Sequence, residues 1–300
     1  MNWTMKLNFT KMQGAGNDYI YVDCFQQPLP QDPAAVSSVL SQKCYGIGSD
    51  GLILVRPSDC ADFMMDIYNA DGSRAKMCGN GIRCAAKFAF EHGIIHQCSC
   101  NVETLSGIKQ VQLKQNDGTI TGATVDMGMP QIRENGHLTA VEKISSSDLN
   151  SLQESITLAQ QNFQMIEISM GNPHAVIFVN DLKQLDFQQY GHDVEQDQRF
   201  IDGVNLELVQ VKDRSHIAVR VWERGSQETN ACGTGACAAA LAAMLDDQCD
   251  QQVAVTMNGG VLIVERRMTD GHLLLSGEAR NVFTGTVDTD DCAQHHNLVS

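Results

Sequence analysis

The sequence predicts an α/β protein, more closely of the α+β type, built from two pseudo-symmetric domains with a cleft between them. Its length of 300 residues fits two ordinary domains. A segment occurs twice, as CGNGIRCAAKF from Cys78 and CGTGACAAALAAM from Cys232. Strand signals outnumber helix signals in both halves. Each domain is therefore expected to be a mostly antiparallel sheet wrapped around the Ala-rich helix that starts in the repeated segment.

The two halves also agree upstream of the repeated segment. Asn69 and Glu223 each lie nine residues before the first Cys of their segment, after a short alternating run that is typical of a strand. Further upstream, the matched pairs are Asn17 with Asn172 and Asp50 with Asn205. Register kept at four positions indicates a duplicated domain.

Glycine turns and polar stretches predict the domain limits. Gly107 in the first half and the pair Gly259 and Gly260 in the second each separate two β-rich runs, which predicts a hairpin in each domain. The final strand, NVFTGTV, is expected to return to the first domain. The predicted N-terminal domain thus comprises 1–126 plus 279–300, and the C-terminal domain comprises 127–278.

Composition excludes several classes of function. The formal net charge is −15 and the basic residues are scattered, so a nucleic acid would be repelled. No signal peptide and no apolar run of roughly 20 residues is present, which argues against a membrane and for the cytoplasm. Eleven cysteines are expected to be free thiols in a reducing compartment.

The two repeated cysteines suit the inversion of a carbon centre. Inversion requires a base on one face of the carbon and an acid on the other, and a duplicated domain supplies such a pair in Cys78 and Cys232. A helix N-terminus can lower the pKa of a thiol from its reference value of about 8.5 toward neutrality. We therefore expect an amino-acid epimerase that uses two thiols, without a cofactor or a metal.

The residues after each cysteine favour a carboxylate. Glycine lets the backbone approach a ligand closely, and the first N–H groups of a helix bind anions. The expected cradle consists of Gly79, Asn80, Gly233 and Thr234. Such donors would stabilise the charge that develops as the neighbouring proton leaves.

Three charged or titratable residues near the matched positions could support this chemistry. His174 and Glu223 could control the protonation of a thiol by hydrogen bonding. Arg224 offers a planar fork for a second carboxylate, and Glu223 could accept from an ammonium group. Together they could bind the far end of an amino-acid substrate.

Other readings of the cysteines remain open. A Cys before Gly at a helix start is often a small packed residue. The spacings Cys-x5-Cys and Cys-x4-Cys are not those of structural zinc sites, and the second cysteines, Cys84 and Cys237, are expected in the core. No nucleotide-binding motif is present.

The motifs resemble those of the diaminopimelate epimerase family. They are YNADGSRAKMCGNGIRC, GAGND, SMGNPH, DGVNLE, ERGSQETNACGTGAC and the closing GHLLLSGEARNVFTG. The resemblance implies conversion of LL-2,6-diaminopimelate to the meso form, toward lysine and peptidoglycan, without pyridoxal phosphate or metal. It also implies two related domains that close over the substrate, and a homodimer.

The resemblance assigns roles by motif position. Cys78 and Cys232 would be the acid/base pair, tuned by His174 and Glu223. The substrate would be held by Asn17, Asn69, Asn172, Asn205, Glu223 and Arg224, with Gly79, Asn80, Gly233 and Thr234 around the reacting carboxylate. Because both thiols would reach one carbon, we predict that oxidation joins them in a disulfide, which needs Cα atoms within about 7 Å.

Some residues depart from the family pattern. Gly51 offers no side-chain contact where the family often has Gln or Gly, and charges at Asp66, Arg74 and Lys76 look partly exchanged. Three alternatives stay open at this point. They are a histidine racemase of the same fold, a proline-racemase-like enzyme, and a thiol redox or binding module.

Overall fold

The computed structural model describes residues 6–134, 136–141 and 152–289. They form two compact units by their internal contacts: unit 1 contains the described residues up to 125 and from 277, and unit 2 those from 126 to 276. Residues 1–5 and 290–300 of the predicted N-terminal domain, and part of the polar stretch around 131–160, lie outside the described residues.

The secondary structure is dominated by strands. The strands are β1 (Lys6–Gly14), β2 (Asn17–Asp23), β3 (Gly51–Arg56), β4 (Phe63–Asn69), β5 (Arg74–Ala75), β6 (Ser99–Thr104), β7 (Gly107–Asn116), β8 (Thr119–Gly128), β9 (Gln131–Glu134), β10 (His137–Ala140), β11 (Gln153–Leu158), β12 (Gln161–Ser169), β13 (Pro173–Phe178), β14 (Asn205–Asp213), β15 (His216–Glu223), β16 (Gln227–Thr229), β17 (Gln252–Met257), β18 (Gly260–Arg266), β19 (Leu273–Glu278) and β20 (Arg280–Asp288). The α-helices are α1 (Pro33–Leu40), α2 (Gly79–Glu91), α3 (Phe187–Gln196) and α4 (Gly233–Leu245). Two short 3₁₀ helices cover Leu182–Gln184 and Gln198–Phe200.

Unit 1 is a mostly antiparallel sheet around α2. Its strand order is β20, β1, β2, β3, β4, β6, β7 and β8, with parallel pairing only between β2 and β3 and between β4 and β6 among the described residues. Helix α2 packs against β1, β2, β3, β6 and β7. Its residues from Gly79 to Ala89 are buried, so the helix forms the centre of the unit.

Unit 2 repeats this plan around α4. Strands β12, β13, β14, β15, β17, β18 and β19 follow one another, with β13 parallel to β14 and β15 parallel to β17. Helix α4 packs against β12–β15, β17 and β18 and is buried along its length except at Thr234. The predicted α+β class is confirmed, as are both Ala-rich helices.

Local signals position these elements. Ala15 and Gly16 both have positive φ, 51° and 82°, and form the tight turn from β1 to β2 that starts β2 at Asn17. The predicted hairpins at Gly107 and at Gly259 and Gly260 are confirmed as β6–β7 and β17–β18. Strand β20 pairs with β1, which confirms the return of the final strand.

The central helices differ in composition. Arg83 and Lys87 in α2 are buried, and their side chains donate to backbone carbonyls: Arg83 to Gly79 and Glu278, Lys87 to Ile120 and Ala279. The buried face of α4 consists of Gly, Ala, Cys, Leu and Met. Helix α2 is thus held partly by hydrogen bonds from its charged side chains to backbone carbonyls, whereas α4 is held by apolar packing.

Among the residues described, none of the helices has the length and apolar character that crossing a membrane requires.

Candidate active site

The two repeated cysteines are both helix N-caps. Cys78 precedes α2 with extended backbone angles (φ −133°, ψ 115°), and its Sγ accepts from the Gly81 N–H at 3.3 Å. Cys232 precedes α4 in almost the same conformation (φ −125°, ψ 117°). The prediction that each helix begins just after its cysteine is confirmed, and in each unit the first helical N–H groups lie beside a thiol.

The two thiols differ in exposure. Cys78 is partly exposed, whereas Cys232 is only 6% exposed. Burial raises the pKa of Cys232 well above its ordinary value, and the nearby carboxylates of Glu223 and Glu207 raise it further, against smaller lowering effects of Thr234 and the Gly235 N–H. The expectation of a lowered pKa is wrong for Cys232, because loss of hydration outweighs the helix N-terminus.

A run of side-chain contacts leads to Cys232 within unit 2. Glu207 Oε1 lies 2.7 Å from His174 Nδ1, and both side chains are fully buried. His174 Nε2 lies 3.1 Å from Asn172 Oδ1, and Asn172 Nδ2 donates to Thr234 Oγ1 at 3.4 Å. Thr234 Oγ1 is 3.4 Å from Cys232 Sγ. Unit 2 thus brings His174, Asn172, Thr234 and Cys232 together, as the sequence predicts.

Glu223 is the last residue of β15 and Arg224 follows it, and each is held by hydrogen bonds to neighbouring residues. Glu223 Oε1 accepts from the Thr229 hydroxyl at 2.5 Å, and Glu223 is close enough to Cys232 to raise the pKa of its thiol. The backbone N–H of Arg224 donates to Asn205 Oδ1 at 2.9 Å, and its guanidinium donates to the Asp202 carbonyl. Asn205 therefore fixes the turn from which the Arg224 side chain extends.

Unit 1 holds a matching set of amides. Asn80 Nδ2 donates to Asn17 Oδ1 at 2.5 Å. These two residues are matched in sequence to Thr234 and Asn172 of unit 2, where the hydrogen bond runs from Asn172 to Thr234. Asn17 in turn donates to Asp50, whose pKa is raised by burial. Asn69 lies further along, at the end of β4, and donates to Ser73.

The departures from the family pattern have a structural explanation in part. Asp66 on β4 is 1% exposed and pairs with Arg74 on β5 at 2.7 Å. At the equivalent positions of unit 2, Arg220 on β15 pairs with Glu228 on β16 at 2.8 Å. The exchanged charges of unit 1 thus form the same kind of cross-strand pair with its polarity reversed.

Glu207 was not predicted from the sequence. It lies in the apolar run VNLELV, two residues after Asn205, where a strand pattern alone gives no partner for a carboxylate. Parallel pairing of β13 with β14 brings it to His174. The one available signal is a charged residue inside a buried strand, which requires a partner.

The second cysteine of each repeated segment lies in the core. Cys84 and Cys237 are buried in α2 and α4, as predicted for core residues. Within the described parts of the chain, no three His, Cys, Asp or Glu side chains are grouped so that they could hold a metal ion.

Known structures define the class of the fold. A hydroxyproline epimerase from Agrobacterium vitis aligns over 96% of this chain and 93% of its own, with a TM-score of 0.68 at 14% identity. A PhzF-family phenazine biosynthesis protein from Bacillus anthracis aligns over 94% and 99%, with a TM-score of 0.67 at 16% identity. The chain therefore has the α+β fold seen in these proteins.

Sequence comparison gives the family. The model of the diaminopimelate epimerase family matches residues 9–133 and 166–282. The diaminopimelate epimerase of Agathobacter rectalis is 44% identical over 94% of this chain and 99% of the relative, and that of Methanococcus maripaludis is 39% identical over 94% and 100%. The chain belongs to the diaminopimelate epimerase family.

Proposed function

We propose that this chain, an isomerase, epimerises LL-2,6-diaminopimelate to the meso form with Cys78 and Cys232 as its acid/base pair, in lysine and peptidoglycan precursor synthesis. The observation that carries the proposal is the thiol at the N-cap of the central helix in both units, in nearly the same backbone conformation. Membership of the family supplies the substrate.

In the proposed reaction, one proton leaves and another arrives. A thiolate takes the α-proton from one face of the carbon, and the other thiol gives its proton to the opposite face, so the enzyme ends with the roles of the two sulfurs exchanged. Since burial raises the pKa of Cys232, this sulfur is protonated at neutral pH and is ready to act as the acid.

The carboxylate beside the reacting carbon gains charge as the α-proton leaves. Helix N-termini at α2 and α4 can stabilise that charge through the N–H groups of Gly79, Asn80, Gly233 and Thr234. These donors are fixed by the helices before the reaction, so they stabilise the transition state more than the substrate.

The far end of the substrate carries a second ammonium and a second carboxylate. Glu223 and Arg224 have the opposite charges, and both are held by neighbours, Thr229 and Asn205. Asn17, Asn69 and Asn172 complete the proposed binding set. His174 and Glu223 tune the thiols.

The assembly is also a proposal. We propose two domains, 1–126 plus 279–300 and 127–278, each of which contributes one thiol. We also propose a cytoplasmic homodimer. The exposed apolar side chains of Val282 and Phe283 on β20 support association with a second copy.

Solvent deuterium tests the function. The protein is incubated with LL-diaminopimelate in deuterated water, and deuterium at the α-carbon and the meso product are followed by mass spectrometry and chiral chromatography. We expect both to appear, with no exchange for histidine, lysine or proline. Absence of exchange with diaminopimelate contradicts the proposal, and exchange with histidine or proline instead would favour the corresponding racemase.

A further inference from the structure

Glu207, which forms a fully buried pair with His174, has no part in the reaction proposed above. It lies on β14, outside both repeated segments, and its side-chain hydrogen bond is with His174. Its distance to His174 Nδ1 is 2.7 Å, and both side chains have 0% exposure. Water cannot replace either partner, so the geometry of the pair fixes the imidazole ring.

We propose that Glu207 is a positioning residue of the epimerase reaction, which holds the His174 imidazole so that its Nε2 donates to Asn172, and Asn172 and Thr234 donate in turn toward the Cys232 thiolate. The proposal rests on the proposed function, because Cys232 is the acid/base group that Glu207 would serve.

The direction of the hydrogen bonds follows from the atoms that face each other. Glu207 Oε1 and His174 Nδ1 share a proton across 2.7 Å, and burial raises the pKa of Glu207. Asn172 presents Oδ1, an acceptor, to Nε2 of His174, so Nε2 donates to Asn172. Asn172 donates through Nδ2 to Thr234, and the Thr234 hydroxyl can donate to Cys232 Sγ when that sulfur is a thiolate.

The packing reserves space for this carboxylate. A Cβ atom at Gly235, in the first turn of α4, would lie 2.6 Å from Glu207 Oε1. In unit 1 the corresponding contact of Gly81 is with the apolar Ile53 side chain, at 2.9 Å. A buried carboxylate beside an imidazole therefore occurs in unit 2 at a place where unit 1 has an aliphatic residue.

Glu207 has two opposite effects on Cys232. As a negative charge near Sγ it raises the pKa of Cys232, as does Glu223 on β15. Through His174 on β13 it orients the donor at the far end of the hydrogen bonds, which favours the thiolate. Replacing Glu207 by a neutral residue separates the two effects, because the pKa of Cys232 falls if the nearby charge dominates and rises if the hydrogen bonds dominate.

The experiment compares Glu207→Gln with wild type. The alkylation rate of Cys232 by iodoacetamide is measured by peptide mass spectrometry from pH 6 to 11, together with kcat and KM for LL-diaminopimelate. We expect the alkylation midpoint of Cys232 to rise in Glu207→Gln, and kcat to fall by at least about 10-fold with KM changed by less than about 2-fold.

Glu167→Gln is the matched control. Glu167 is a buried carboxylate of unit 2 on β12 and pairs with Arg133 at 2.7 Å. It lies outside the proposed machinery, so kcat and the Cys232 midpoint are expected to remain at wild-type values. Glu207→Asp retains the carboxyl group, and the pH midpoint of Cys232 alkylation in this variant is expected to lie close to the wild-type value. This second variant keeps the proposal testable if Glu207→Gln folds poorly.

Each other result overturns a defined statement. A lowered midpoint in Glu207→Gln means that Glu207 acts only as a nearby charge. If Glu207→Gln changes neither the alkylation midpoint of Cys232 nor kcat, the role of Glu207 is structural only. If Glu207→Asp and a folded Glu207→Gln have the same midpoint, the carboxyl group of Glu207 does not affect Cys232. Wild type without epimerase activity overturns the proposed function itself, whereas active wild type with an unshifted variant overturns the role of Glu207 alone.

Discussion

Units 1 and 2 share one strand plan but surround their thiols with different chemistry. In unit 1, Cys78 is partly exposed and accepts from the Gly81 N–H, and the matched side chains Asn80 and Asn17 are amides that bond to each other. In unit 2, Cys232 is 6% exposed and lies near a buried Glu and His pair. The repeated backbone thus preserves the position of each thiol at the start of its helix, while burial and the carboxylates of neighbouring strands in unit 2 raise the pKa of Cys232.

The same contrast extends to charges away from the thiols. The cross-strand pair of unit 1 has its acid on β4 and its base on β5, whereas unit 2 has the reverse on β15 and β16. The pair can be reversed because either polarity satisfies both strands. What the two units conserve is therefore geometry, and each unit supplies its own charges.

The largest expected effect is the loss of either repeated thiol. Cys78→Ala and Cys232→Ala are each expected to reduce epimerase activity by about 10³-fold, because neither thiol can perform both proton transfers. Circular dichroism should show both variants folded. Cys44→Ser, which changes an exposed thiol, should retain full activity. If either Ala variant retains turnover, that cysteine is not part of the acid/base pair, and the two units do not contribute equivalent thiols to the reaction.

The next effect comes from the helix glycines. Gly235→Ala is expected to destabilise the protein by about 3 kcal/mol, since the added Cβ meets the carboxylate of a buried pair. Gly81→Ala should cost only about 1 kcal/mol, because the end of the Ile53 side chain can move. Urea unfolding measures both. Equal costs would mean that Glu207 is no more constrained than Ile53.

The cross-strand pair of unit 1 gives a smaller effect. Arg74→Ala leaves Asp66, 1% exposed, with only the 3.3 Å contact of Arg56 among the ion pairs of the described residues. We expect a loss of about 2 kcal/mol in the free energy of unfolding. The double variant Asp66→Arg with Arg74→Glu gives unit 1 the polarity of unit 2, and should recover part of that loss. No recovery would show that unit 1 tolerates one polarity only.

The smallest expected effect is in the equivalent pair of unit 2. The hydrogen bond from Arg220 lowers the pKa of Glu228. The pair therefore stabilises the fold above the unfolded pKa of Glu, about 4.3, and this stabilisation is lost as the pH falls through the folded pKa. Glu228→Gln should cost about 1 kcal/mol at pH 7, and this cost should decrease as the pH falls below the unfolded pKa. A cost independent of pH would assign the effect to packing.

Sequence patterns predict the positions of helices and strands better than the chemistry of the site. The repeat predicts where α2 and α4 begin, because an N-cap Cys and the following glycines are local features. It also predicts the two hairpins and the return of β20. It gives no sign of α1 or α3, whose short sequences carry weaker helix signals.

The missing part of the site depends on tertiary neighbours. The partnership of Glu207 with His174 arises only when β13 and β14 lie parallel, and nothing in either strand alone specifies it. The acidity of Cys232 was predicted wrongly for a related reason. The motif shows the helix N-terminus but not the desolvation, which has the larger effect on the thiol.

Strand β20 has a consequence for the order in which the chain can be assembled during synthesis. β1 is made first, yet its outer neighbour spans Arg280–Asp288, and the Arg83 and Lys87 side chains of α2 wait for carbonyls at Glu278 and Ala279. All strands of the second half exist before that point is translated. Unit 1 therefore cannot complete its sheet until this last strand is translated, and a stop codon before residue 280 would remove a strand of unit 1 while leaving the described strands of unit 2 in the chain.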